Sequence, residues 1–274
     1  MSSTRIICLS ENLVPFGSGC WGEHGLAFYI ESEGRKILYD TGQSGDVLLH
    51  NARLAGVSLR GLDCIVLSHG HYDHSGGLPK VLEMNRGVRL IMHPAALERK
   101  YARRDGILKD IGMPLSLDQL KRLCSPAIEP GPADLGGGIS TTGEIERVTP
   151  YETPQPDLLV ERDGVLATDP VCDDQSLIIS SDDTTLLLCG CCHAGIVNTL
   201  TSAKRTTGKY PSVVAGGLHL EMAEPARLSS TTEALRSAGV RKVLSGHCSG
   251  DAIRGYLPPA GVEAGRLAAG MRVL

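Results

Sequence analysis

A chain of 274 residues, 42% of them hydrophobic, can bury a sizeable core, and one domain spanning 1–274 is the first expectation. The net charge of −4, with both signs interspersed, leaves no basic stripe, so no nucleic-acid partner is expected and a small-molecule partner is favoured. No apolar run reaches the roughly 18 residues of a membrane span, the opening MSSTRIICLS has no apolar signal core, and nine cysteines without framework spacing suit reduced thiols; a cytoplasmic protein with no membrane partner is expected.

Thirty-three glycines and fifteen prolines, against two Phe and one Trp, favour many short strands over a helical bundle. In chain order, apolar runs bounded by Gly, Asp or Ser predict strands over 5–9, 26–30, 36–39 and 64–67. A helix is expected over 46–55, where Val47, Leu48, Ala52 and Leu54 lie near helical spacing and Gly56 supplies a stop. The Gly17-x-Gly19-x-x-Gly22 run leads into a strand rather than a helix, which excludes a dinucleotide-binding turn. A strand over 88–92 follows, then helices over 94–104 and 115–123. The Pro- and Gly-rich segment 124–138 is expected to be a loop or lid, which makes 94–138 a helical or loop insertion. The pattern then predicts strands over 176–179, 185–189, 212–215 and 242–244, with helices over 195–204 and 225–238.

One local unit recurs four times, an apolar strand followed by a turn containing glycine and histidine, ahead of His69, His193, His219 and His247. Strands of this kind lying side by side would bring their turns to one rim. The first instance is the richest, with three histidines and an aspartate in Ser68-His69-Gly70-His71-Tyr72-Asp73-His74. In extended backbone His69, His71 and Asp73 project to one side, and the turn at 73–76 redirects His74. Two imidazoles and a carboxylate suit a borderline ion such as zinc, which accepts N and O donors at about 2.0–2.2 Å. Helix capping would use one oxygen and explain none of the histidines. Gly70, Gly76 and Gly77 let the backbone turn tightly there, and no HExxH pair is present. His50 and His93 read as hydrogen-bonded structural residues, His24 stays open, and Arg147 and Lys204 read as solvated surface. Cys189, Cys191, Cys192 and Cys248 read as packed thiols.

The run His69-x-His71-x-Asp73-His74, preceded by Leu38-Tyr39-Asp40-Thr41-Gly42, resembles the hallmark of the metallo-β-lactamase superfamily. The resemblance implies an α/β (α+β) fold, a four-layer αββα sandwich, and two divalent metal ions, zinc first, with iron or manganese as alternatives. It assigns His69, His71 and His193 to one metal and Asp73, His74 and His247 to the other, with Asp73 also catalytic. The bridging aspartate usual after a later strand has no counterpart in Cys189-Gly190-Cys191-Cys192-His193, so either Asp174, Cys191 or His219 supplies the missing ligand or the site lacks a bridge; His219, Asp174, Cys191 and His24 are the candidates for a further ligand or substrate contact.

Glu23-His24-Gly25-Leu26, Asp40-Thr41-Gly42-Gln43-Ser44, Thr142-Gly143-Glu144-Ile145, Asp174-Gln175-Ser176-Leu177 and Gly216-Gly217-Leu218-His219-Leu220 together look like the dihydropteroate-synthase-like branch of that superfamily. Three activities follow as expectations. The first is hydrolysis of a small phosphorylated or pterin-like substrate; the second is transfer joining a dihydropterin pyrophosphate to an aminobenzene ribofuranosyl phosphate. The third is an iron-containing redox or binding role on the same fold.

Overall fold

The computed structural model describes residues 4–180 and 184–274. Two compact units emerge, one from Met1–Pro130, Pro154–Asp173 and Ala268–Leu274, the other from Gly131–Thr153 and Asp174–Leu267.

The first unit begins with antiparallel strands β1 (Arg5–Ser10), β2 (Ala27–Ser32) and β3 (Arg35–Tyr39). Glu33 and Gly34, with φ of 49° and 76°, close the β2–β3 hairpin in the doubly left-handed turn that matches strand twist. Helix α1 (Asp46–Leu54) follows, then β4 (Cys64–Val66), the short α2 (Tyr72–Ser75), α3 (Leu78–Met84) and β5 (Arg89–Met92). From β3 onward the sheet is parallel, which requires cover on both faces. Leu48 and Ala52 of α1 and Leu78, Val81 and Leu82 of α3 join Leu38, Ile65, Leu90 and Met92 in one buried cluster.

The helix expected over 94–104 is absent. Pro94–Leu97 makes one 3₁₀ turn and Arg99–Arg104 is a strand, β6, paired with β7 (Ile107–Asp110). Helix α4 (Leu117–Leu123) carries a capping box between Ser116 and Gln119. The expected loop over 124–138 contains β8 (Ser125–Ile128), which completes the first sheet in the order β1-β2-β3-β4-β5-β8, and β9 (Asp134–Gly136). After β10 (Ile139–Thr141) the chain forms the hairpin β11 (Leu158–Arg162) and β12 (Val165–Thr168). Strand β11 pairs with β6, giving a four-stranded antiparallel sheet, β12-β11-β6-β7, and this distant partner, with β7 on the other side, makes 99–104 extended. The C-terminal tail returns along β1, with the Cys8 amide donating to the Met271 carbonyl at 2.9 Å.

The second unit adds β13 (Leu177–Ser180), β14 (Thr185–Cys189), α5 (Ile196–Thr207), β15 (Val213–Gly217), α6 (Pro225–Ser237), β16 (Lys242–Gly246), α7 (Ile253–Tyr256) and β17 (Glu263–Arg266). Its seven-stranded sheet runs β17-β16-β15-β14-β13-β10-β9, parallel from β14 to β17. Leu187, Val214 and Val243 of three neighbouring strands pack with Ile196, Leu200, Leu228 and Leu235 of α5 and α6. Register pairs Cys189 with Gly216 and Gly216 with Ser245, so β14, β15 and β16 end in line. Three of the four histidine turns therefore leave adjacent carboxyl ends of one sheet, the place where open α/β sheets present ligands. The fourth, ahead of His69, leaves β4 in the other unit. Among the described residues no helix is long and apolar enough to cross a membrane.

Candidate metal centre

In the first unit the histidine run leaves β4 and bends at once. Gly70 lies so close to the following 3₁₀ turn that a Cβ there would fall 2.3 Å from the Ala96 carbonyl oxygen. The Gly70 amide donates to Asp173 Oδ2 at 2.7 Å, which fixes the peptide between His69 and His71. His71 is the N-cap of α2, and the Ser75 hydroxyl donates back to its carbonyl at 2.8 Å. Asp73 and His74 thus ride on a helical turn rather than on the extended run that alternation implied. His69 still meets both neighbours, with ring centroids 4.5 Å from His71 and 4.3 Å from His74. Asp73 Oδ2 lies 3.3 Å from His24 Nε2 and 3.7 Å from His74 Nε2, so the open residue His24 joins this cluster.

The proton positions follow from the hydrogen bonds. Asp40, left-handed at φ 59° just after β3, accepts from the Ser68 amide and hydroxyl at 2.7 Å each and sits 2.7 Å from His74 Nδ1. A carboxylate only accepts, so His74 Nδ1 carries a proton, and the neutral ring presents its lone pair at Nε2. The Ser68 hydroxyl spends its single proton on Asp40, so at 2.8 Å it accepts from His69 Nδ1, and Nε2 is the lone-pair nitrogen of the neutral His69 ring. For His71, burial and then the Lys100 charge hold the imidazole down to about 3, against the opposing pull of Asp73. The His71 ring is therefore a neutral N donor at neutral pH, the form a metal requires, and the carboxylate that orients His74 is what such ligands ordinarily have behind them. The donor chemistry of this cluster fits a divalent cation. Asp40's part was legible only as membership of a motif, and its partner Ser68 carried no signal.

A charged cluster that sequence reasoning missed supports the run. Lys100 on β6 is fully buried and donates to Asp169 Oδ2 at 2.7 Å and to Asp173 Oδ1 at 2.8 Å. Asp173 spends its other oxygen on Gly70, so the triad reaches the backbone of the histidine run. Burial pushes the Asp173 carboxyl up, but Lys100 outweighs it and holds the group below the usual carboxylate range.

In the second unit His193 follows β14, His219 follows β15 and His247 follows β16. His219 and His247 are left-handed at φ 49° and 53°, uncommon for a residue with a side chain and concentrated at functional positions. The rings of His193 and His219 stand 4.4 Å apart. Asp174 Oδ2 accepts from the Ala194 amide at 2.7 Å, so this expected ligand anchors the loop that carries His193. Arg147 is not solvated surface, since its Nη2 donates to the His193 carbonyl at 2.8 Å. Lys204 stacks over the Tyr210 ring at 4.4 Å. Cys191, His219 and Cys248 each offer a donor atom, all within 4.8 Å of one another. Burial pushes the Cys248 thiol up, yet the contacts with Cys191 and His219 outweigh it and hold the thiol well below its ordinary value. Burial alone would lower His219, but Cys248 raises it.

The remaining candidates have structural roles. His50 stacks on Trp21 at 3.9 Å and donates to the Gly19 carbonyl at 2.9 Å, and His93 Nδ1 accepts from the Ala95 amide at 3.1 Å as an N-cap. None of the nine cysteines, all among the described residues, forms a disulfide.

The family model of the metallo-beta-lactamase superfamily matches residues 21–191. Over 261 residues, 91% of this chain and 89% of the relative, the sequence is 31% identical to 7,8-dihydropterin-6-methyl-4-(β-D-ribofuranosyl)-aminobenzene-5'-phosphate synthase of Methanocaldococcus jannaschii. The crystal structure of Tm1679, described as a metal-dependent hydrolase of the β-lactamase superfamily, superposes with a TM-score of 0.85 at 26% identity, over 99% of both chains.

Proposed function

The chain belongs to the metallo-β-lactamase superfamily, with its mixed α and β fold, and from that membership we propose that it is a metal-dependent hydrolase of a small phosphorylated or pterin-like substrate. In this reading two divalent ions, zinc first, are held by His69, His71 and His193 and by Asp73, His74 and His247, in a cytoplasmic protein. The observation that carries it is the hydrogen bonding of the histidine run, where Asp40 and Ser68 accept from Nδ1 of His74 and His69 and so turn Nε2 of each neutral ring to the metal as donor. Bound divalent ions supply Lewis acidity toward a phosphoryl or carbonyl oxygen and a nucleophilic water at neutral pH. Asp73 would serve both as ligand and as the group that orients the attacking water. Lys100 and Asp173 keep the Gly70 peptide in place so that His69 and His71 hold their angles. The test is turnover of a phosphodiester or pterin phosphate by His71→Ala and Asp73→Asn, with metal content measured on protein purified without added metal. Activity should fall by at least about 10²-fold with melting temperature near that of wild type, and unchanged turnover would sink the proposal.

A second reading is favoured by the synthase name of the 31% identical relative. There divalent ions held by the same residues would bind the pyrophosphate leaving group of a dihydropterin while an aminobenzene ribofuranosyl phosphate attacks in place of water. Mass analysis after incubation with both compounds separates the two readings, because a coupled product marks transfer and a free pterin alcohol marks hydrolysis.

A further inference from the structure

We propose that Arg147 and Arg227 form a subsite beside His193 and His219 that binds a phosphate group of the substrate. The proposal rests on the phosphorylated-substrate reading given above and deepens it, and all four residues lie in the second unit.

Arg147 sits in the segment between β10 and β11, and α5 fixes its backbone. Asn198 Oδ1 accepts from the Val148 and Thr149 amides at 2.9 Å each, while Asn198 Nδ2 donates to the Ala194 carbonyl at 2.8 Å. The guanidinium gives Nη2 to the His193 carbonyl at 2.8 Å, one bond from the five N–H groups it carries. Arg227 comes from the first turn of α6, just beyond the loop that holds His219. At His219, burial and, more weakly, the Arg227 charge favour the neutral ring against the stronger pull of Cys248. The His193 and His219 rings stand 4.4 Å apart, so two guanidiniums carried by different elements serve one place.

Neither arginine has a carboxylate partner. Both charges act on the buried Glu152, but that acid is committed elsewhere, with Oε1 accepting from the Val197 amide at 3.0 Å and Oε2 from the Asn198 amide at 2.9 Å. A Cβ at Gly195 would fall 2.2 Å from Glu152 Cδ, so the carboxylate is wedged under the first turn of α5. Burial raises the Glu152 carboxyl, and the two amides and then Arg227 and Arg147 pull against it. Arg162, Arg205 and Arg236 each form an ion pair, whereas among the described residues none ties Arg147 or Arg227 to an acid. Nε of both Arg147 and Arg227 is buried without a hydrogen-bond partner among the described residues, a costly state that a ligand oxygen relieves.

The chemistry of the donors selects the ligand. A guanidinium offers a planar fork of N–H groups that matches two oxygens of an oxyanion. Two forks from different directions suit a tetrahedral phosphate, which has three oxygens to accept them. The place lies at the carboxyl ends of β14 and β15, where open α/β sheets present ligands. A phosphate held there is gripped rather than cleaved, so it selects the substrate.

The experiment is calorimetric titration of the full chain with phenylphosphonate, whose carbon–phosphorus bond survives hydrolysis, and with neutral benzyl alcohol. Wild-type protein should bind the phosphonate at least about tenfold more tightly, a comparison that needs no variant to fold. Arg227→Met should weaken phosphonate binding at least about tenfold, and Arg227→Lys should weaken it less, since it keeps the charge and loses the fork. Arg205→Met, which deletes an exposed cation of α5, should leave binding within about twofold of wild type. Equal wild-type affinity for the two probes, or wild-type affinity for the phosphonate in Arg227→Met, overturns the proposal. His71→Ala separates it from the hydrolase reading. Phosphonate binding should persist in that variant, and its loss would assign the anion to the metal centre and overturn the subsite. Unchanged turnover in His71→Ala with binding intact would instead sink the hydrolase reading and leave the subsite standing.

Discussion

Replacing Lys100 by methionine tests whether the buried triad holds the histidine run. Methionine keeps the length and apolar stem of the side chain but deletes the ammonium that bonds Asp169 at 2.7 Å and Asp173 at 2.8 Å. Breaking a buried pair from one side costs about 3–5 kcal/mol, because the surviving charge stays uncompensated. For a chain of this size each kcal/mol moves the melting temperature by roughly 2–4 °C, so a fall of about 6–20 °C is expected by circular dichroism. The pH dependence is more diagnostic. In wild type Lys100 keeps Asp173 below its ordinary value, so the carboxylate's stabilising contribution is complete above its unfolded pKa and is lost only as pH falls through the depressed one. Without the cation, burial dominates and the carboxyl rises above its unfolded value, so protonation now favours the fold. The deficit should therefore be largest near about pH 8 and shrink toward about pH 5. A loss below about 2 °C, or one constant across that range, would refute the reasoning. Metal affinity should fall in the same variant, since Asp173 also fixes Gly70 between His69 and His71.

The remaining predictions follow from two further positions. Asp40→Asn replaces an oxygen that can only accept with an amide that can donate, so the His74 tautomer is no longer imposed; metal affinity, read by competition with a chromophoric chelator, should drop about 10–100-fold, and an unchanged affinity contradicts the tautomer argument. Gly216→Ala should cost more than about 3 kcal/mol or prevent folding, because φ is 121° and the new Cβ would stand 2.1 Å from the Cys189 carbonyl oxygen; a variant melting within about 2 °C of wild type rejects that expectation.

The strands of both large sheets were legible wherever an apolar run filled the strand, as at β3, β4, β14 and β16, because burial on both faces leaves no polar position to break the pattern. Strand β6 was not. Arg99 to Arg104 is mostly polar, and pairing with β7 on one side and with β11, some sixty residues away, on the other makes it extended. Its hairpin nevertheless carried a signal in Asp105-Gly106, as β11–β12 did in Asp163-Gly164; both pairs are left-handed at φ 50° and 76°, and 51° and 76°. The histidine run was legible because four donors fall in six residues. The triad behind it was not, since Lys100 is separated from Asp169 and Asp173 by 69 and 73 positions and a lone lysine reads as surface. In the sequence Cys248 reads as a packed thiol for a related reason, as its nearness to Cys191 follows from parallel register rather than from spacing.

One backbone feature links the positions that sequence reasoning found with those it passed over. Asp40, His219 and His247 are all left-handed and each lies within two residues of a strand end. A strand that must stop and re-aim its next side chain within a residue or two needs that conformation, and glycine adopts it without strain. Glycine, however, has no donor or acceptor on its side chain. Placing aspartate or histidine there costs about 1 kcal/mol or more in backbone strain and persists only where the surroundings fix it. At Asp40 the surroundings are Ser68 and His74, which both bond its carboxylate. At His219 and His247 they are the linked loops at the ends of β15 and β16, where Ser249 holds the Leu218 amide. At these three positions the strain falls where a side chain acts in place of glycine, so, outside hairpin turns such as Asp105-Gly106 and Asp163-Gly164, an Asp or His ending an apolar strand is a site signal even when no second ligand is near it in sequence.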